Sequence, residues 1–169
     1  MSAWLRVAGR GRLADGGLVI WSVAEGIRGR RWRWTIDDIG IVRHAGVLEL
    51  AADGTFLRLE LAGPAGLLTL HPESDGSIHG NVVNDGGVRA IALPGAARLG
   101  LWIVGDAFGS ALLGRRGAGE GIVVGLGFNV ALAASVGAER VPDLDVRGVP
   151  QLDEATEWRL EAEGPGAPD

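Results

Sequence analysis

The chain contains no lysine, no cysteine and no tyrosine, and every one of its 16 basic residues is Arg. Without Lys there is no Schiff-base amine, no pyridoxal attachment point and no phosphate-loop lysine. Without Cys there is no thiolate nucleophile, disulfide framework, zinc finger or iron–sulfur ligation. Positive charge is in deficit: the formal net charge is −5, which argues against broad nucleic-acid binding. The first twelve residues hold no apolar run of signal-peptide length, so the expected location is cytoplasmic. Charge-free runs are short, apart from residues 121–138. There the GxxxG spacing of Gly121 and Gly125 raises a membrane helix as an alternative. Bulky side chains at 122, 124, 126, 128, 130 and 132 alternate with smaller ones, and that period of two predicts one long buried strand over 121–133.

Glycine is abundant, with 29 residues, and there are six Trp. A length of 169 residues suits one domain, expected over 1–162, with the Pro/Gly-rich 163–169 as a disordered tail. Nearly every segment reads as strand plus turn. Residues 18–24 and 30–36 are early strands, and turns then set the register of the stretch 47–83. Asp53-Gly54 as a two-residue hairpin loop places Leu50 opposite Leu57, Glu49 opposite Arg58 and Leu48 opposite Leu59. Gly63-Pro64-Ala65-Gly66 as the next turn pairs Leu61 with Leu68, Leu59 with Leu70 and Arg58 with His71. Ser74-Asp75-Gly76, with glycine third, suits a three-residue loop ending in a left-handed bulge. It sets Leu68 against Val82, Thr69 against Asn81 and His71 against His79. These turns, read separately, agree on one meander with an apolar face and a polar face. Residues 88–93, 99–104, 121–133 and 156–162 are the remaining strands, although 152–162 also carries a helical pattern. Residues 106–113 predict a short helix with Asp106 as N-cap and Gly114 past its end. The fold class is all-β: a curved antiparallel meander forming a roll or open barrel, with at most one or two short helices.

Two groups of residues carry candidate chemistry. Glu49, Arg58, His71 and His79 form a row on the polar face, with Glu60, Thr69 and Asn81 beside it. Opposed histidines could share a metal, but that needs a third ligand such as Glu73, Glu60 or Glu49, and Arg58 in the row repels a cation. A cross-strand charge ladder is the plainer reading. In residues 28–34, Arg30, Trp32 and Trp34 share one strand face and Arg31 and Arg33 the other. Arg beside Trp suits an anionic or sugar-bearing ligand, or equally a core strand whose Arg side chains pair with Glu25, Asp37 or Asp38. The glycines at 117, 119 and 121 lack the spacing and the following helix of a dinucleotide fingerprint. Ser110 has no nucleophile elbow around it. The sequence singles out no catalytic residue, metal set or cofactor.

The stretch Arg30-Arg31-Trp32-Arg33-Trp34-Thr35-Ile36-Asp37 resembles the glycolipid-binding domain family, a single curved, mostly antiparallel β-domain. Asp143-Leu144-Asp145-Val146-Arg147-Gly148-Val149 with Glu157-Trp158-Arg159 beyond is similar to that family's end. The matches cover less than a quarter of the chain, and the family's Tyr residues near these positions have no counterpart. The resemblance implies lipid or glycolipid binding and carries over no catalytic residue. The expected function is therefore non-enzymatic binding of an apolar or amphipathic molecule, with Arg30, Trp32, Arg33, Trp34, Arg58, His71, His79 and Asn81 as ligand contacts. The alternatives are a hydrolase-like or metal-assisted enzyme using the Glu49/Arg58/His71/His79 row, and an oligomeric interaction module.

Overall fold

Glycine-bearing turns at short intervals force the chain into consecutive hairpins, and the computed structural model describes residues 6–13, 16–94, 100–103, 105–114, 121–125 and 127–133. Eight strands follow one another: β1 Arg6–Arg12, β2 Leu18–Gly26, β3 Gly29–Asp38, β4 Ile41–Leu50, β5 Phe56–Gly63, β6 Gly66–Pro72, β7 Ile78–Asn84 and β8 Gly87–Leu93. They form one antiparallel sheet in sequence order. The sheet curls without closing, so the architecture is an open roll. A smaller unit follows: β9 Gly100–Ile103, the helix α1 Ala107–Gly114, β10 Gly121–Val124 and β11 Val130–Ala133. β10 pairs parallel with β9 and antiparallel with β11. This β-α-β unit departs from a purely antiparallel meander. Among the described residues no helix is long and apolar enough to cross a membrane.

The inward positions of the sheet are rows of cross-strand neighbours. One row runs Val23, Trp32, Leu48, Leu59, Leu70, Gly80 and Ile91. The next runs Trp21, Trp34, Gly46, Leu61, Leu68 and Val82. The large members of both rows are buried, in one cluster with Leu101, Ile103, Phe108, Leu112, Ile122, Val124 and Phe128 of the smaller unit. Each fully buried Leu or Ile contributes roughly 1.5–3 kcal/mol relative to exposure. Phe108 of α1 packs edge-on against Trp32 and tilted against Trp34, with ring centroids 6.4 and 6.0 Å apart. The smaller unit is thus a cap on the concave face.

The turn at Asp53-Gly54 differs from the two-residue loop its sequence suggests. Ala51 and Thr55 close a three-residue loop, with Gly54 left-handed at φ 81°. Leu50 therefore faces Phe56, not Leu57. A bulge at Leu57 then restores Glu49 opposite Arg58 and Leu48 opposite Leu59. Phe56 takes the inward place and Leu57 is left outside the core. The other two registers stand as the turns dictate: Leu61 faces Leu68, and His71 faces His79. The β5–β6 ladder starts at Leu59 and Leu70, so Arg58 and His71 stand one step beyond it. β1 was not visible in the sequence, because Arg-Val-Ala-Gly-Arg-Gly-Arg has little strand propensity and is held by pairing with β2.

The single strand expected over 121–133 is two strands joined by a tight loop. Gly125 and Asn129 close that loop, with Phe128 left-handed at φ 56° and buried. Periodicity could not show the break. The antiparallel register pairs 124 with 130 and 122 with 132, so even-numbered positions of the two strands lie opposite one another. α1 begins after Asp106 as expected, and the Asp106 carboxylate accepts the Gly109 N–H at 2.7 Å. The expected strand at 156–162, the alternative helix over 152–162 and the tail at 163–169 lie outside the described residues.

Candidate functional site: a carboxylate between the cap and the sheet

The eight residues expected to contact a ligand fall on different faces. Trp32 and Trp34 point into the core. Arg30 lies at the rim of the same face, its Nε 2.8 Å from Glu25 Oε2. Arg33, Arg58, His71, His79 and Asn81 lie on the exposed convex face. The polar row therefore faces solvent. Its carboxylates already have partners: Arg31 Nη2 is 2.6 Å from Glu49, Arg58 pairs with Glu60, and His71 Nε2 is 3.1 Å from Glu73. Such exposed pairs contribute about 0.2–1 kcal/mol each. Among the described residues no group of three or more His, Cys, Asp or Glu side chains is placed to hold a metal ion.

A different cluster lies where the cap meets the sheet. Asp106 is fully buried, and its carboxylate collects three donors. Oδ1 accepts the Gly109 N–H, while Oδ2 accepts the Trp34 indole N–H at 2.7 Å and lies 2.6 Å from His44 Nε2. A carboxylate so placed is acceptor-only, so His44 donates from Nε2 and a neutral ring keeps Nδ1 as an acceptor. The His44 side chain is 12% exposed, which leaves it at the rim and not in the core.

Each partner has a local reason for its position. His44 is an inward residue of β4, on the same face as Gly46, Leu48 and Leu50, and pairs with Ile36 just past a bulge in the β3–β4 ladder. Trp34 reaches Asp106 because glycines flank its indole. A Cβ at Gly46 would lie 2.1 Å from Trp34 Cζ2, and one at Gly109 would lie 2.7 Å from that atom and 2.6 Å from Asp106 Oδ2. Ser110 fixes the capping residue: its Oγ accepts the Ile103 N–H at 2.8 Å and donates to the Asp106 carbonyl at 2.7 Å. With that hydroxyl committed to backbone, Ser110 is a structural brace and not a nucleophile. The cluster can hold the cap against the sheet, and it can present one imidazole nitrogen to a polar group at the rim.

Sequence reasoning identified Asp106 only as a helix cap and passed over His44. The usable signal was the parity of β4. Extending that strand back from Leu50 through Gly46 places His44 inward, where an uncompensated polar side chain calls for a buried partner. Comparison with known proteins adds no further identification: no family model, curated protein or solved structure matches the chain.

Proposed function

We propose that the protein is a non-enzymatic binding module for an apolar or amphipathic molecule of lipid or glycolipid type, held between the concave face of the sheet and the cap. One observation carries the reading: the concave face is apolar along its strands and has a polar cluster at one end, His44–Asp106–Trp34, with His44 reaching the rim. An amphipathic molecule has the same distribution, a long apolar part and one polar group. The cap meets the sheet through its buried apolar side chains, with Phe108 on Trp32 and Trp34, and through polar contacts of Asp106 with Trp34 and His44 and of Arg89 Nη2 with the Phe128 carbonyl at 3.2 Å. Displacing a cap held this way exposes the apolar rows beneath it. The enzyme alternative is the weaker reading, because Glu49 and Arg58 are committed to ion pairs and His71 to Glu73 on the convex face.

The test is native mass spectrometry and solvent extraction of the purified protein, followed by titration with lysophosphatidylcholine below its micellar concentration. Trp21, Trp32 and Trp34 report occupancy through their emission. A saturable shift, weakened in His44→Gln, is expected. A protein that carries nothing and shows no saturable shift contradicts the reading.

A further inference from the structure

The two edges of the large sheet differ. β8 has the cap beside it, since Arg89 Nη2 bonds the Phe128 carbonyl. β1 pairs with β2 alone, from Arg6 opposite Ala24 to Arg12 opposite Leu18. On an edge strand, alternate backbone N–H and C=O groups point away from the one neighbour and are left unpaired. Among the described residues, no backbone hydrogen bond outside the sheet involves residues 6–12. Natural edges are blunted by shortness, proline, bulges or charge. β1 is seven residues long, with no proline and no shift of register, so charge is the device that remains.

That charge has one sign. Arg6, Arg10 and Arg12 lie at alternating convex positions of β1, with Ala8 exposed between the first two. Two strands in, the convex face of β3 adds Arg31, in line with Ala24 and Arg6, and Arg33, in line with Ser22 and Ala8. Arg31 is taken by Glu49. The ion pairs among the described residues do not include Arg6, Arg10 or Arg33. In a chain of net charge −5, positive charge is thus gathered along one open edge.

The layout selects the partner. A second copy joined through β1 meets like charge in every central register that keeps the two convex faces together. Antiparallel pairing centred on Gly9 sets Arg6 opposite Arg12, centred on Ala8 it sets Arg6 opposite Arg10, and centred on Arg10 it sets that residue against itself. Like charges directly opposite are destabilising. β8 of a second copy brings Val88, Ala90 and Ala92 on its convex side, with no carboxylate among them. A polyphosphate satisfies the guanidinium groups and leaves the open backbone groups as they were. An extended peptide with carboxylates on alternate residues satisfies both. Alternate residues of a strand are about 7 Å apart in both chains, so one register brings Asp or Glu side chains opposite Arg6, Arg10 and Arg12. Main-chain bonds then supply affinity, and the Arg row supplies the choice of sequence.

We propose that β1 is a docking edge for an acidic peptide strand, which extends the eight-stranded sheet. The proposal is independent of any ligand in the concave face.

The experiment is fluorescence anisotropy of the full chain with a labelled peptide that alternates Glu with Val over the length of β1, in about 0.1 M salt, where charges are screened over about 10 Å. Saturable binding is expected, with slower hydrogen exchange at alternate β1 amides. A peptide of the same composition, with its Glu and Val in separate blocks, is expected to bind at least about tenfold more weakly. Ala8→Glu sets a carboxylate between Arg6 and Arg10, and is also expected to weaken binding at least about tenfold. Val88→Glu makes the same change of charge on the other edge strand, at a site 71% exposed, and is expected to bind as wild type. Both positions face solvent, which keeps the fold. Four outcomes overturn the proposal: no saturable binding, equal binding of the block peptide, equal loss in both variants, or β1 exchange that the peptide does not slow. The last includes β1 amides already protected throughout in the free chain, which shows the edge occupied by a second copy or by another segment of this chain.

Discussion

Gly46→Ala tests the arrangement at its tightest point. The added methyl would sit 2.1 Å from Cζ2 and 2.4 Å from Cε2 and Cη2 of Trp34. These atoms belong to a buried ring locked on its far side by Asp106, so the ring has to shift as a whole. Overpacking of this kind costs roughly 1–3 kcal/mol. Shifting the indole also weakens its bond to a charged acceptor, worth about 1.5–3 kcal/mol. The gain from replacing strand glycine by alanine is about 0.5–1 kcal/mol. The net expectation is a loss of roughly 2–4 kcal/mol, which lowers a urea midpoint by about 1–2 M for a slope near 2 kcal/mol/M. Unfolding is best followed by far-ultraviolet circular dichroism, because Trp34 itself changes environment. Trp34→Phe removes both the crowded ring edge and the N–H, so Gly46→Ala should cost much less in that background. A double-mutant cycle should give a coupling above about 1 kcal/mol. Simple additivity, or a Gly46→Ala protein as stable as wild type, refutes the slot between Gly46 and Gly109.

Further perturbations follow from the same geometry. Asp106→Ala leaves the Trp34, His44 and Gly109 donors without their acceptor, and should cost about 3–5 kcal/mol by urea denaturation. Ile39→Asn suits the left-handed turn, and should raise stability by about 0.5–1 kcal/mol, seen as a higher melting temperature. Asp75 accepts bonds from Ser77 Oγ and N, and the hydroxyl is the first cause of a carboxyl pKa held below 3.8. Its contribution is therefore present above that value and lost as pH falls through the lower folded pKa. In Ser77→Ala the Asp75 carboxyl carbon, followed by NMR, should titrate closer to 3.8. An unchanged midpoint would show that the hydroxyl does not set it.

Local chemistry already encodes much of the meander. Glycines at left-handed turn positions, and alternation along each strand, fix which residues face one another from Leu48 to Val82. The error at Asp53-Gly54 was self-cancelling: a loop one residue longer is offset by the bulge at Leu57, and both routes reach the same pairing. The break at Gly125–Asn129 was invisible because its loop preserves parity.

Two things lay beyond the sequence. Alternation defines two faces of a sheet but carries no sign for its curl, so it could not say whether the row of Glu49, Arg58, His71 and His79 lines a lumen or meets solvent. The direction of curl and the covering of one face by α1 turned that row outward. Nor could spacing bring Asp106 to Trp34 and His44, which are 72 and 62 residues away along the chain. That meeting depends on where the cap lands, and on two glycines whose missing side chains leave room for an indole. The sequence by itself determined most of the strands and the pairing from β4 to β7, because those are short-range. Only the tertiary structure decided which face is inside and where the buried Asp106 carboxylate finds its donors, because both depend on packing between distant segments.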